Sequence, residues 1–331
     1  MIQRGTPPPN WLRRACLSAI ASLAIAGVLG GGVVRAATPA PAFSELAPLA
    51  AKSLLLDLAR AGDRLVAVGD RGHVLLSDDA GATWRQVVVP TRAMLTGVSF
   101  GDERHGWAVG HDGVILATSD AGASWTRQDA GNDLETVWLD VLFRDARHGL
   151  VAGAYGRCKV TADGGKTWAP APAIPEEVHL NQIAFPAPDQ TYLPGEAGTL
   201  LASDDIRKPW RKIEVPYDGS LFGVLPLGRG QLLAFGLRGH VFASADGGAS
   251  WSARSTSAPG LLMAGVKLRS GAVILAGAGG HFLVSRDDGA HFASWQPEAY
   301  NGGVSALLEA ADGALVVAGE KGAARLPLPL K

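Results

Sequence analysis

Cysteine is nearly absent from this chain. Cys16 and Cys158 are the only two in 331 residues. If the N-terminal leader is removed, Cys158 stands alone, which excludes an intrachain disulfide framework. A surplus of one charge is also missing. The 30 Lys and Arg residues meet 31 Asp and Glu, for a formal net charge of −1. That leaves no basic footprint of the kind nucleic-acid binding needs. Helical periodicity is missing as well. Beyond the N-terminal apolar run, no stretch holds apolar residues at helical spacing over three turns, which points away from α-rich folds.

The one long apolar run is Ala15 to Val34. Arg4, Arg13 and Arg14 precede it, and Val34-Arg35-Ala36 closes it with small residues. This pattern predicts a signal peptide over residues 1–36, cut after Ala36. The run is also long enough for an uncleaved membrane anchor. Residues flanking Arg13-Arg14 fit a twin-arginine signal poorly, and Cys16 lies at the start of the run, where no lipoprotein cysteine stands. Cleavage removes four basic residues and no acidic ones, so net charge becomes 26 minus 31, or −5. The expected compartment is periplasmic or extracellular. The remaining 37–331 has no membrane span, and about 290 residues bury a large core without disulfides.

What the chain does have is repetition. A box of pattern Ser/Thr-x-Asp-x-Gly-x-x-aromatic occurs six times, and its ring recurs at steps of 41, 43, 42, 41 and 41 residues. The box residues are Asp79, Gly81 and Trp84; Asp120, Gly122 and Trp125; and Asp163, Gly165 and Trp168. They continue as Asp205 and Trp210; Asp246, Gly248 and Trp251; and Asp287, Gly289 and Phe292. A glycine-bracketed turn rides with the box seven times, from Gly69-Asp70-Arg71-Gly72 to Gly319-Glu320-Lys321-Gly322. Short apolar runs such as Leu65-Val66-Ala67-Val68 flank each turn and read as strands. Four strands per roughly 42 residues is the arithmetic of a propeller blade.

The fold class is therefore all-β, a seven-bladed β-propeller of four-stranded blades. In the second unit the strands are expected at Leu95 to Phe100, Gly106 to Gly110, Val114 to Thr118 and Trp125 to Asp129. The seventh unit lacks a box. Phe43 stands 41 residues before Trp84, so Phe43 to Leu49 is expected to supply the last blade's outer strand and close the ring. Closure removes sheet edges that invite aggregation. The box aspartates are expected to brace their turns and the rings to pack between blades. One box is worn: Arg207 replaces the glycine and Pro209 precedes Trp210, so that turn should take another shape.

Taken together, the box, its spacing and the run Val109-Gly110-His111-Asp112-Gly113-Val114-Ile115-Leu116 before Thr118 to Trp125 resemble the photosystem II stability/assembly factor family. These are propellers of the Asp-box, or bacterial neuraminidase repeat, type with exported bacterial relatives. The likeness covers Phe43 to Lys331. It implies a non-catalytic scaffold that assists assembly or stability of a membrane or envelope protein complex, a lipid- or drug-exporting permease of the RND type being one such client. It also implies no cofactor, a monomer by itself, and no nucleic-acid partner. Family members carry an arginine-rich surface, which does not map onto this chain residue by residue.

The turns share one face with the crossovers between blades, and the boxes lie on the other. The partner-binding face is expected at Arg71, His111, Tyr155, Arg157, Glu196, Arg238 and Lys321. Sialidases also carry Asp boxes, and Arg71, Arg157 and Arg238 could form their arginine triad. A glycosidase would need two carboxyl groups about 5–9.5 Å apart; the crossovers offer Glu135, Glu176, Glu177, Asp218 and Glu298, with no motif around any of them. A glycan-binding module without catalysis is the third reading. His73, His240 and His281 share one repeat position but recur with no carboxylate, so a metal is not expected. Cys158 reads as a strand thiol rather than a reactive one. The crossover Pro170 to Glu177 is the longest and stiffest, beside the worn box.

Overall fold

Short apolar runs bounded by glycine do form strands, because each buries both faces between neighbouring sheets. Leu65 to Val68, for example, lies in a strand Arg64–Gly69 that is buried almost throughout. The computed structural model describes residues 42–328 except 132–133, 173, 175–176 and 188. The predicted leader, with its basic residues and Cys16, lies outside the described residues. Seven antiparallel sheets follow one another along the chain. The second blade has strands Leu95–Phe100, Gly106–Gly110, Ile115–Thr118 and Thr126–Arg127, within three residues of the sequence expectation at every boundary. The fold is a seven-bladed β-propeller with antiparallel blades, four-stranded in the first six.

Blade packing follows the repeat. Each box ring enters the seam with the preceding blade: Trp84 with the blade-seven residues Val316 and Ala318, Trp125 with blade one, Trp210 with blade three. The box turn itself is held by its own polar atoms. In the first copy Ser77 Oγ donates to Asp79 at 2.8 Å and accepts from Gly81 N at 2.8 Å. Asp79 also takes Thr83 N at 2.8 Å and Thr83 Oγ1 at 2.6 Å. These bonds shape a turn in which two successive residues have positive φ, 58° at Ala80 and 88° at Gly81. A Cβ on Gly81 would stand 2.8 Å from Val316 of blade seven, so glycine is required there twice over.

The innermost strands are stitched to one another. Asp57 accepts a hydrogen bond from Leu58 N and another, at 2.8 Å, from Val98 N of blade two. Asp140 of blade three takes Val141 N and, at 2.7 Å, Ile183 N just before blade four. Gln182 accepts from Val224 N of blade five at 2.8 Å. Each such bond contributes about 0.5–1.5 kcal/mol.

Those carboxylates make stability depend on pH in two windows. Burial pushes Asp57 up to about 7 against the pull of its two N–H donors. Burial and the charge of Asp57 push Asp140 up as well. The box carboxylates go the other way: the Thr83 and Thr167 hydroxyls hold Asp79 and Asp163 at about 2. A raised carboxyl contributes stability below its unfolded value that is lost as pH rises through the folded one; a lowered carboxyl contributes above and loses it in acid. The melting temperature should therefore peak near about pH 4 and decline toward about pH 7. Asp57→Asn should flatten that decline, as calorimetry across pH 3 to 8 would record.

Ring closure departs from the sequence expectation. Among the described residues the seventh sheet has three strands, Val304–Glu309, Leu315–Gly319 and Gly322–Leu326, and Phe43 to Leu49 adds no fourth. That segment lies along blade one instead, with Ser44 N on Val89 O at 2.9 Å, Val89 N on Ser44 Oγ at 2.9 Å, and Gln86 bonded to both Glu45 and Ala47. The physical reason is local. The Ala51 carbonyl sits against Gly322 at the head of blade seven, but from there the chain finds backbone partners on blade one, and Arg92 pairs with Glu45 at 2.7 Å. Phe43, Leu46 and Leu49 are left 55%, 67% and 66% exposed. Blades seven and one are joined by side chains: the Leu55, Leu65 and Val316 cluster, Arg60 donating to Glu309 O, and Arg325 donating to Ala80 O at 3.2 Å.

Candidate functional site

Each glycine-bracketed turn ends a second strand and puts one residue at the tip of the crossover face. Tip residues are held in the left-handed region: Arg71 at φ 53°, Asp112 at 56°, Tyr155 at 56°, Ala197 at 51° and Arg238 at 58°. The glycine after the tip has no room for a side chain. At Gly72 and Gly239 a Cβ would run into the Thr91 and Ala258 carbonyls of the crossover beneath. Tip and crossover are thus locked together.

The seven predicted face residues divide. Arg71, 82% exposed, meets Asp70 at 3.4 Å, and Tyr155, 68% exposed, stands edge-on to His179 at 5.1 Å. Arg238 and Lys321 are exposed, and Lys321 reaches Asn301 Oδ1 at 2.6 Å. Arg157 and Glu196 brace crossovers, Arg157 donating to Thr136 Oγ1 at 2.5 Å and Glu196 accepting from His179 N at 3.1 Å. His111 is half-buried in its turn. Arg71, Arg157 and Arg238 stand on blades one, three and five, each with its own local surroundings.

Chemical alternatives gain nothing from the geometry. Glu135, Glu177, Asp218 and Glu298 are exposed on four different crossovers, so no two share a seam; Glu176 lies outside the described residues. His73 is buried against Ser53 Oγ at 2.8 Å, and burial pulls its pKa down. His240 sits in a ring cluster with Tyr217 and Phe242, while His281 faces Gln296. Among the described residues no three His, Cys, Asp or Glu side chains group as metal ligands do. Burial pushes the Cys158 thiol far up, which leaves it unreactive.

Sequence reasoning missed how the seams are latched. In four of the six boxes the carbonyl of the first left-handed residue is turned toward the preceding blade and receives a donor from it. Arg325 bonds Ala80 O at 3.2 Å, Arg64 bonds Ala121 O at 3.2 Å, Trp107 Nε1 bonds Gly164 O at 3.1 Å and Tyr192 Oη bonds Gly247 O at 2.5 Å. The donors are chemically mixed, so no motif announces them. Trp107 and Tyr192 do share a repeat position, three residues before the first turn glycines Gly110 and Gly195, and that coincidence was the available signal.

The worn box lacks the left-handed pair on which this device is built. Ile206 and Arg207 are absent from the left-handed positions that the other boxes occupy, because a β-branched side chain is strained there. Arg207 folds onto Asp205 through two bonds of 2.9 and 3.0 Å, and holds that carboxyl at about 2. Ile206 drops into the core between blades three and four. A cleft of about 730 Å³ opens at this seam, against about 450 Å³ between blades two and three and about 200 Å³ between five and six.

Comparison with known proteins comes from two directions. The family described as Photosynthesis system II assembly factor YCF48 matches residues 76–136 and 131–306. The solved structure of YCF48 bound to D1 peptide is 19% identical, with a TM-score of 0.67 over 84% of this chain and 94% of that one. YCF48 from Cyanidioschyzon merolae is 16% identical, with a TM-score of 0.70 over 83% and 96%. The WD40 β-propeller domain of Doa1 overlays as well, at 12% identity and a TM-score of 0.69 over 86% and 94%. At these identities the overlays speak for the fold alone. No curated protein matches the sequence.

Proposed function

We propose, because this chain belongs to the Photosynthesis system II assembly factor YCF48 family, that it is an exported, non-catalytic platform that assists assembly or stability of an envelope protein complex. Its docking surface is the crossover face. The observation that carries this reading is the set of large polar and aromatic side chains held at left-handed turn tips, where glycine is the unstrained choice. Strain of this kind concentrates at functional positions. A YCF48 structure with bound D1 peptide is a precedent for peptide capture by such a ring. A membrane permease of the RND exporter type is the client to test first. The leader over residues 1–36 supports a periplasmic or secreted site of action.

Two measurements test it. Pull-down from solubilised envelopes should retain a membrane protein, and Arg71→Glu with Arg238→Glu should reduce that retention at least tenfold. Equal retention by the charge-reversed protein would end the proposal. Arg71→Gly should raise stability by about 0.4–1 kcal/mol by relieving the left-handed tip while weakening capture, a trade expected of functional strain. Urea titration beside the pull-down reads both effects. Among the described residues no two of the crossover carboxylates Glu135, Glu177, Asp218 and Glu298 share a seam, so no observation favours a glycosidase reading.

A further inference from the structure

We propose that the cleft between blades three and four is a binding site for an uncharged, mainly apolar small molecule. This does not rest on the client reading, since the cleft opens on the box side, away from the turn tips. Its origin runs from sequence to cavity in one line. Ile206 and Arg207 do not adopt the left-handed pair, Ile206 packs into the core between blades three and four instead, and this seam holds a cleft larger than the one between blades two and three. A volume of about 730 Å³ falls in the range of drug-sized ligand sites.

The lining sets the ligand class. The walls are Val160, Ala162, Ala169, Pro170 and Ile206. Charges at the mouth are matched internally: Arg207 holds Asp205 at 2.9 Å, His148 meets Asp145 at 2.9 Å, and Arg144, over the Phe185 ring at 4.3 Å with Thr191 Oγ1 at 2.8 Å, lies in the field of the Asp205, Asp189 and Asp145 carboxylates. An ionic ligand would have to displace one of these partners. A peptide strand is disfavoured for a separate reason. Ala171 N pairs inward with Cys158 O, so Pro170 and Pro172 occupy the outward positions of blade three's outer strand, and neither offers an N–H. What remains is an apolar body inserted side-on: an acyl chain or an aromatic ring system.

The test uses N-phenyl-1-naphthylamine, a neutral fluorophore, titrated into the full chain. Saturable one-to-one enhancement is expected. Ala162→Trp, at an exposed wall position, should weaken it at least tenfold, whereas Ser119→Trp, the equivalent position in the seam between blades two and three, should leave it unchanged. Any contribution of the apolar leader is common to all three proteins and cancels. The variant Ile206→Gly, Arg207→Gly and Pro209→Thr rebuilds the box and should also weaken binding tenfold. Displacement by a monoacylglycerol but not by naphthalene would assign an acyl chain; the reverse would assign an aromatic. Equal enhancement in wild type and Ala162→Trp, or no saturable binding, overturns the proposal.

Discussion

Trp107→Ala should be among the most damaging single changes in this protein, with an expected loss of about 3–5 kcal/mol. Trp107 is 2% exposed and belongs to none of the repeated boxes. Its ring lies flat on Phe143 of blade three, 3.4 Å between centroids and 2° between planes. Its Nε1 also latches the blade-three box through Gly164 O. Truncation therefore leaves a cavity and an unpaired carbonyl in one seam. Trp107→Phe keeps much of the packing and loses only the latch, for an expected cost of about 1–3 kcal/mol. Tyr192→Phe removes the matching bond to Gly247 O and should fall in the same range. Guanidinium unfolding of the three variants separates ring from hydrogen bond. Near-equal midpoints for Trp107→Ala and Trp107→Phe would mean that packing in this seam counts for little.

Gly81→Val should be comparably severe, by about 2–5 kcal/mol from left-handed strain and overpacking together. Gly81 has φ 88°, and its missing Cβ is the space that Val316 fills. Among the described residues no sheet is shared across this seam, so side-chain packing, helped by the segment from Phe43 to Lys52 that touches both blades, holds blades seven and one together. A wedge at Gly81 should pry the ring open there. Faster proteolytic nicking near Phe43 to Leu49, together with a lower urea midpoint, is the expected signature. Gly131→Val is the control: Gly131 is also positive in φ, but nothing lies within 4 Å of its Cβ position, so only the backbone strain remains. If the two substitutions cost the same, the seam is not under the steric control described here.

Much of the candidate docking face was legible from spacing, because a turn bracketed by glycines exposes what lies between them. Arg71, Tyr155 and Arg238 could be placed on that basis. The bracing roles of Arg157 and Glu196 could not, since Thr136 and His179 reach them from crossovers of irregular length. The worn box was visible as a broken pattern, yet the cleft it opens depends on where Ile206 packs and on the neighbouring blade's outer strand. Asp57 and Asp140 gave no signal at all; a lone carboxylate in an apolar strand looks the same whether it faces solvent or a neighbouring backbone N–H.

Sequence alone determined the number of blades, the strand order within each and the residues that turn the chain, for these follow from period, glycine and the self-contained hydrogen bonds of the box. Tertiary structure alone decided how the blades are latched and where the ring closes. Latches join side chains to backbone N–H or carbonyl groups about 40 to 60 residues away in the next blade, or, at the closing seam, from the far end of the fold. Closure turned on a competition that local pattern does not encode. Phe43 to Leu49 carries the spacing of an outer strand, but blade one offered it donors and acceptors that took precedence.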